Sequence, residues 1–414
     1  MGMNPFVIIG AGITGASFTK FLGMQDAILL EKEKHPGGKC SSFTVDSSHG
    51  PFTFDIGGHW FHCQSNERLC DLFSGLSLHS RRAYVYLQSK YVQYPIQSHY
   101  TELADDKLIR TIANELKACS GADNEDLSYF NMLKNRYGPS LFDLFFRPYN
   151  CKMFATKETG DIMASPYERI RNVATTSDKG YNSNFYYPCN GGGIQQLTTQ
   201  LLQGVSVEYG ANVINIDIDK KRVVLENGDE ISYQILVNTM PLDILLQCIQ
   251  QQLSEKLVSQ LHHSSTYIYN LGIQSNTWQN RNWIYFADET IPFYRLGSYS
   301  VVDPLLAPIG CQALYMESTM PLSRDIIVKQ LHELDFIHGP EDLIVLQQIY
   351  LSHNYCFYSP ALQCIHTWLN EHGVYSIGRY GGWRWSSIHE DILEAMQLAE
   401  KLKGQLYCKH SLKT

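Results

Sequence analysis

The first forty residues constrain the fold more than any other stretch. Phe6-Val7-Ile8-Ile9 is an apolar run of strand type that feeds directly into Gly10-Ala11-Gly12-Ile13-Thr14-Gly15. A helical pattern follows from Ala16 to about Gly23, and a second apolar run, Ala27-Ile28-Leu29-Leu30, ends in Glu31. This is β-α-β with G-x-G-x-x-G in its first turn and an acid closing its second strand, the arrangement that binds a dinucleotide. Gly10 permits the tight turn, Gly12 lets the backbone approach a pyrophosphate, and Gly15 lets the helix pack close to the strand. The helix start supplies free N–H groups and positive dipole. Glu31 is placed to accept from both hydroxyls of a ribose.

Composition narrows the class. A chain of 414 residues exceeds one compact core and points to two or three domains. With 44% apolar and 18% charged residues it is globular. A net charge of −8 excludes the basic stripe that a nucleic-acid binder needs. The 11 cysteines are scattered without a C-x-x-C pair, so neither a zinc site nor a disulfide framework is expected, and no metal is assigned. Without a signal-peptide pattern or an apolar run long enough to span a bilayer, the expectation is a cytoplasmic protein with no membrane span. A homo-oligomer is left open.

The rest of the chain orders itself around the opening unit. Residues 67–76 read as helix and Tyr84–Tyr94 as an alternating strand. From about 101 to 175 the pattern is helical, and Ser140–Phe146 continues an apolar helix up to Pro148. Arg222–Glu226 and Asp229–Tyr233 flank Asn227-Gly228, which predicts a hairpin with a type I′ turn. It leads into the buried strand Ile235–Thr239. Strand patterns dominate 265–355, and a final helix from about Asp391 to Lys403 puts Ile392, Ala395, Met396, Ala399 and Leu402 on one face. The expected fold is α/β. A discontinuous Rossmann-type dinucleotide domain (1–80, 190–245 and 365–414) is interrupted by a helical insertion (100–180) and an antiparallel-sheet domain for substrate (81–99, 181–189 and 246–364).

Behind Glu31 comes Lys32-Glu33-Lys34-His35-Pro36-Gly37-Gly38-Lys39-Cys40. An acid, a few polar residues and a Gly-Gly turn resemble the FAD superfamily of amine oxidases, protoporphyrinogen oxidases and sugar-nucleotide mutases. Within it, several segments resemble the UDP-galactopyranose mutases. Gly57-Gly58-His59 looks like their flavin loop, and Tyr94-Pro95-Ile96-Gln97 like their Tyr-Pro-Phe-Gln segment near the uridine. Arg147-Pro148-Tyr149-Asn150-Cys151-Lys152-Met153-Phe154 resembles their Pro-Tyr-Asn-x-Lys-x-Trp segment, and Glu168-Arg169-Ile170 their Glu-Arg-Val. Trp283-Ile284-Tyr285-Phe286 and Pro292-Phe293-Tyr294-Arg295 resemble the segment with a diphosphate-binding tyrosine and a second arginine. Gly378-Arg379-Tyr380-Gly381-Gly382-Trp383-Arg384-Trp385 is similar to their Gly-Arg-Phe-Gly-x-Trp-Arg-Tyr.

The resemblance implies an isomerase in which reduced FAD attacks the anomeric carbon of a nucleoside-diphosphate sugar through N5, with no net redox change. NADH or NADPH is the implied reductant. The default pair is UDP-galactopyranose and UDP-galactofuranose, for polysaccharide biosynthesis. The alternatives are a mutase of another nucleotide sugar, an FAD-dependent amine oxidase or desaturase, and a non-catalytic flavoprotein. The resemblance assigns His59, Arg169 and Arg295 to catalysis, and Tyr94, Gln97, Asn150, Phe154, Tyr285 and Trp385 to substrate. It assigns Gly10, Gly12, Gly15, Glu31, Gly38, Gly57, Gly58, Val213, Arg379 and Asp391 to the cofactor. Three departures touch the substrate end: Trp385 replaces a tyrosine, Phe154 a tryptophan and Ile96 an aromatic. Indole offers a donor but no acceptor, unlike a phenol.

Overall fold

A computed structural model of the chain describes residues 4–23, 27–62, 67–119, 128–156, 162–163, 183–249, 255–275, 277–278 and 280–411. The strand Asn4–Ile9 lies parallel between Ala27–Glu31 and Glu230–Asn238, and Val207–Tyr209 extends the sheet beyond Ala27–Glu31. The long strand Glu230–Asn238 serves two structures. Its first residues pair antiparallel with Arg222–Leu225, and its last three pair parallel with Val374–Ser376. The sheet is therefore discontinuous in sequence, an α/β layer built from three separated stretches of chain. Strands buried on both faces read as unbroken apolar runs, and Phe6, Val7 and Ile8 are each fully buried.

The helix Ile13–Leu22 packs on one face of this sheet beside the C-terminal helix Ile388–Ser411. Phe18 and Leu22 share a core with Ala395, Ala399 and Leu402. The last helix starts three residues earlier than its periodicity suggested, but its buried stripe is the expected one, except that Met396 is only partly buried.

A second sheet of seven strands runs in the order Leu343–Leu351, Thr266–Ile273, Gln312–Ser318, Arg295–Ser298, Trp283–Phe286, Ala83–Leu87, Lys90–Gln93. It is antiparallel except where Ala83–Leu87 runs parallel to Trp283–Phe286, the point at which the early part of the chain joins the late part. The helix Arg324–Glu333 interrupts the region in which strand patterns dominate. Helices Asp106–Ala118, Tyr129–Leu141 and Arg147–Phe154 form the insertion. The apolar helix expected through Ser140–Phe146 is not regular. Gly138 has φ 80° before Pro139, and Phe142–Phe146 is a π turn.

Local readings also shift. Residues 67–76 form a short 3-10 turn, Glu67–Leu72, and Leu76 already opens a strand that pairs with Asn184–Pro188. The single strand expected over 84–94 is a hairpin. Its two loop residues, Gln88 and Ser89, both have positive φ (52° and 61°), and Leu87 pairs with Lys90, so the type I′ geometry occurs here. At Asn227-Gly228, only Gly228 has positive φ (91°), and Gly228 N donates to Leu225 O. That hairpin closes with a longer loop in which Asn227 hydrogen-bonds Asp229 through both backbone and side chain. Asn-Gly marked a turn correctly but not its type, because the Asx bonds favour a different closure.

Candidate active site

The glycine turn is explained partly by the protein itself and partly by what lies outside it. A Cβ on Gly15 would sit 1.9 Å from the Gly10 carbonyl oxygen, and one on Gly10 2.4 Å from Thr239 Oγ1. Close packing of turn, helix and the end of Glu230–Asn238 demands those two glycines. Gly12 differs. Its φ is an ordinary −74° and its nearest neighbour to an added Cβ is Gly37 O at 3.7 Å. Nothing in the protein requires a glycine there; the open side faces a cavity. Gly37 N donates to Ala11 O at 3.0 Å, which docks the Gly37-Gly38 loop on the same turn. Glu31 is buried at the strand end. Its Oε2 accepts from Ala11 N at 2.7 Å and its Oε1 from Glu33 N at 2.9 Å, so the acid locks the turn while it lines the cavity.

That cavity, about 940 Å³, runs from the glycine turn past Glu31, Val213 and Gly38 to His59, Arg379 and Asp391. It then continues into an aromatic chamber with Tyr94, Gln97, Tyr149, Asn150, Tyr285 and Arg295. A cleft joining a parallel sheet's carboxyl ends to a second sheet is where ligands sit in such folds.

The loop Gly57-Gly58-His59 is held from below. Buried Asp55 accepts from Ser42 Oγ at 2.6 Å, Tyr187 OH at 2.7 Å and Ile194 N at 3.1 Å, although burial still pushes its carboxyl up to about 6. Gly57 has φ 79° and donates its N–H to Tyr299 OH. A Cβ on Gly58 would meet the Tyr315 phenol at 2.3 Å. His59 Nδ1 lies 3.3 Å from Gly57 O. A carbonyl only accepts, so Nδ1 carries the hydrogen and Nε2 is left as an acceptor on the neutral ring. Burial, then the Arg379 and Arg295 guanidiniums, pushes His59 down to about 4, so it is neutral at pH 7.

Arg295, Arg379, Arg81 and Lys39 line the cavity, each held differently. Arg295 forks onto Glu317, with Nε to Oε2 at 2.8 Å and a second bond from a terminal nitrogen to Oε1. Glu317 is buried, so this pair fixes one edge of the guanidinium and leaves the rest toward the chamber. Arg379 donates to two carbonyls, Ser386 O at 2.7 Å and Asn354 O at 3.4 Å, and lies over the Tyr355 and Tyr380 rings. Carbonyls orient its charge without cancelling it. Arg81 stacks over Tyr94, and burial lowers the Lys39 ammonium to about 8. Asp391 accepts from Ser386 Oγ near the start of the last helix, and burial pushes it up to about 6.

The other expected residues differ in where they fall. Tyr94 and Tyr285 face each other with ring centroids 4.9 Å apart, and Gln97 is buried with no hydrogen-bond partner for its Oε1. Asn150 lines the chamber, but its amide is already engaged: Oδ1 accepts from Tyr129 OH and Nδ2 donates to Phe146 O. Phe154 and Trp385 stand one layer back, packed together at 5.4 Å beside Tyr129 and Tyr355, with the indole donating to Cys356 O. Gly15 and Gly57 are packed into the frame and do not line the cavity. Arg169 lies outside the described residues. Sequence reasoning missed Glu317 and Arg81. Arg81 had a weak signal, the basic pair before an apolar strand; Glu317 had none.

Among the described residues, no helix is long and apolar enough to cross a membrane. Residues 11–292 match the family model described as flavin containing amine oxidoreductase. Among solved structures, a reduced UDP-galactopyranose mutase is similar at 22% identity and TM-score 0.84, covering 97% of this chain and 96% of that one. A putative protoporphyrinogen oxidase from Exiguobacterium sp. 255-15 is similar at 13% identity and TM-score 0.72, covering 98% and 100%. A putrescine oxidase with putrescine bound is similar at 12% identity and TM-score 0.69, covering 97% and 99%. Likeness at these identities concerns the fold.

Proposed function

The chain belongs to the family of flavin containing amine oxidoreductases, and from that premise we propose that it is a flavin-dependent sugar-nucleotide mutase. It interconverts pyranose and furanose forms of a nucleoside-diphosphate sugar, with UDP-galactopyranose and UDP-galactofuranose as the default pair. The observation that carries this reading is the cation set of the cavity. A half-buried Arg379, hydrogen-bonded to two carbonyls, lies with Arg81 and Arg295 along a cavity that opens into an aromatic chamber containing the unpaired Gln97 acceptor. Guanidiniums suit a pyrophosphate. Phenol rings that offer a face for stacking and an amide acceptor suit a base that carries an N–H donor. A cationic amine is repelled by the same charges.

The residues fit FAD. The Gly10–Gly12 turn, the start of helix Ile13–Leu22 and the Gly38 loop would hold the pyrophosphate, while Glu31 would take the ribose beside Val213. Gly58, His59, Arg379 and Asp391 would border the ring end. Reduced with electrons from NADH or NADPH, the bound flavin supplies a nucleophile for the anomeric carbon. The protein's own work is electrostatic. Arg295, oriented by Glu317, and Arg169, which the resemblance assigns, bind the diphosphate before and after it leaves the sugar. Tyr285 donates its hydroxyl to the same group. His59 Nε2, an acceptor at neutral pH, fixes a hydrogen at the reacting face. Tyr94 and Gln97 hold the base, and Asn150 stiffens the wall through Tyr129.

The test is anaerobic incubation of the dithionite-reduced flavoprotein with UDP-, dTDP-, CDP- and GDP-sugars, followed by chromatography. A furanose isomer is expected from one of them, UDP-galactose first; no isomer from any of them refutes the proposal. The family match and the aromatic chamber favour a second reading, oxidation of an amine. Oxygen consumption with putrescine and peroxide release would support it, and isomerisation without oxygen uptake excludes it.

A further inference from the structure

Beside the flavin strip, three side chains from remote segments meet at one point. Asp243 comes from the helix Leu242–Cys248, His263 from the segment entering the second sheet, and His353 from the segment leaving it. Their donor atoms all lie within 4.8 Å of one another. His353 Nε2 is 3.0 Å from the Asp243 carboxylate and His263 Nε2 is 3.7 Å from Oδ2. The two imidazoles stack with centroids 4.0 Å apart, and the Trp383 ring stands edge-on to both.

We propose that Asp243, His263 and His353 bind a divalent transition-metal cation of the zinc class, a site independent of the mutase reading. Two features beyond the clustering support it. First, the nitrogen of each ring that would not ligate is already turned to a protein oxygen: His263 Nδ1 to Ser264 O at 3.4 Å and His353 Nδ1 to Ser352 Oγ at 2.9 Å. The Ser264 carbonyl keeps the hydrogen on His263 Nδ1, and the Ser352 hydroxyl, able to accept as well as donate, can take Nδ1–H of His353 when Nε2 binds a metal. Both Nε2 atoms face one carboxylate, to which His353 Nε2–H donates at 3.0 Å; a cation would take the place of that hydrogen. Second, the spacing fits. Ligands about 2.1 Å from a tetrahedral zinc stand about 3.4 Å apart, between the two observed separations. The ligands are mostly buried, with side-chain exposures of 7% for His353, 15% for Asp243 and 27% for His263. His353 also lines the main cavity, which leaves a fourth position for water.

Two imidazoles and a carboxylate select zinc or its first-row neighbours over magnesium, which prefers an all-oxygen shell. The cation would staple the parallel sheet, through the helix after Glu230–Asn238, to one end of the second sheet's outer strand pair, where Thr266 lies opposite Leu351.

The full-length, flavin-loaded protein, freed of metal with EDTA, is titrated with zinc chloride by calorimetry and thermal shift. One cation per chain and a melting temperature that climbs with zinc concentration are expected, with no climb for magnesium. His263→Gln and Asp243→Asn should each lose the uptake while keeping parental circular dichroism. Cobalt(II) should give visible d–d bands without thiolate charge transfer, which separates this site from the eleven cysteines. Absence of zinc uptake in the parent, equal uptake in both variants, or a thiolate band overturns the proposal.

Discussion

The two halves of the cavity are made of different material. The strip from Gly10 to Gly38 is backbone: a turn with φ 97° at Gly10, a docked Gly-Gly loop, and one acid that locks the turn through Ala11 N. The chamber beyond His59 is side chain. It draws Arg81 and Tyr94 from one hairpin, Tyr149 from the helical insertion, Tyr285 and Arg295 from late strands, and Glu317 from another. A site made from backbone tolerates few residue types and is contiguous. A site made from side chains is assembled by tertiary packing, so its charges are balanced by partners far away in sequence.

The largest effect should come from crowding the backbone half. In Gly15→Val the new side chain meets the Gly10 carbonyl, which cannot move without breaking the strand-to-helix turn. Destabilisation of about 3 kcal/mol or more is expected, read as loss of soluble protein or a two-state shift in urea. Arg295→Ala should cost about 3 kcal/mol in the chamber half, because Glu317 is left buried without its partner. The cycle with Glu317→Gln should recover much of that loss. Strict additivity of the two changes would mean that the pair is not coupled and the chamber is less dry than its burial indicates.

This contrast explains what could be read from the sequence. The roles of Gly15 and Glu31 follow from local sterics and hydrogen bonding, which a forty-residue window contains, whereas Gly10 is also crowded by the distant Thr239. The burial of Ile392, Ala395, Ala399 and Leu402 follows from helical period. Arg295 could be named only through resemblance, and its partner not at all: Glu317 stands 22 residues on and is its neighbour across a strand pair. The Asp243–His353 pairing spans 110 residues, so no ligand spacing announced it. Phe154 and Trp385, which the resemblance assigned to substrate, pack with each other behind the wall.

Gly12→Val sharpens the contrast within the backbone half. Its φ and open surroundings predict a folded protein, with stability changed by about 1 kcal/mol or less. Flavin content by absorbance should nonetheless fall at least roughly tenfold, as the pyrophosphate is excluded. If Gly12→Val purifies yellow, the open side of the turn does not face the cofactor. In the chamber, Gln97→Leu removes the unpaired acceptor. It should lower the affinity for the preferred nucleoside diphosphate about tenfold, the cost of one unmade hydrogen bond in a buried site, while leaving flavin content unchanged.

The smallest effect tests where the halves meet. His59 sits at about 4 in the folded chain and near 6.5 when unfolded, so the unfolded chain takes up a proton first as pH falls. Folding stability from this group is complete above about pH 6.5 and is lost progressively down to about pH 4. Asp55 and Asp391 act in the opposite sense. Raised to about 6, they bind protons in the folded chain before the unfolded one, and add stability as pH falls from about 6 toward 3.8. The opposing terms mask each other in the parent. Replacing His59 by Gln removes only the first, so the variant should gain on the parent between pH 7 and pH 5, by on the order of 1 kcal/mol. Imidazole resonances of the parent should show one ring that stays neutral through pH 5. A variant that loses ground over that range, or a His59 midpoint near 6.5, would mean that water reaches the junction freely and the guanidiniums there do not act on it.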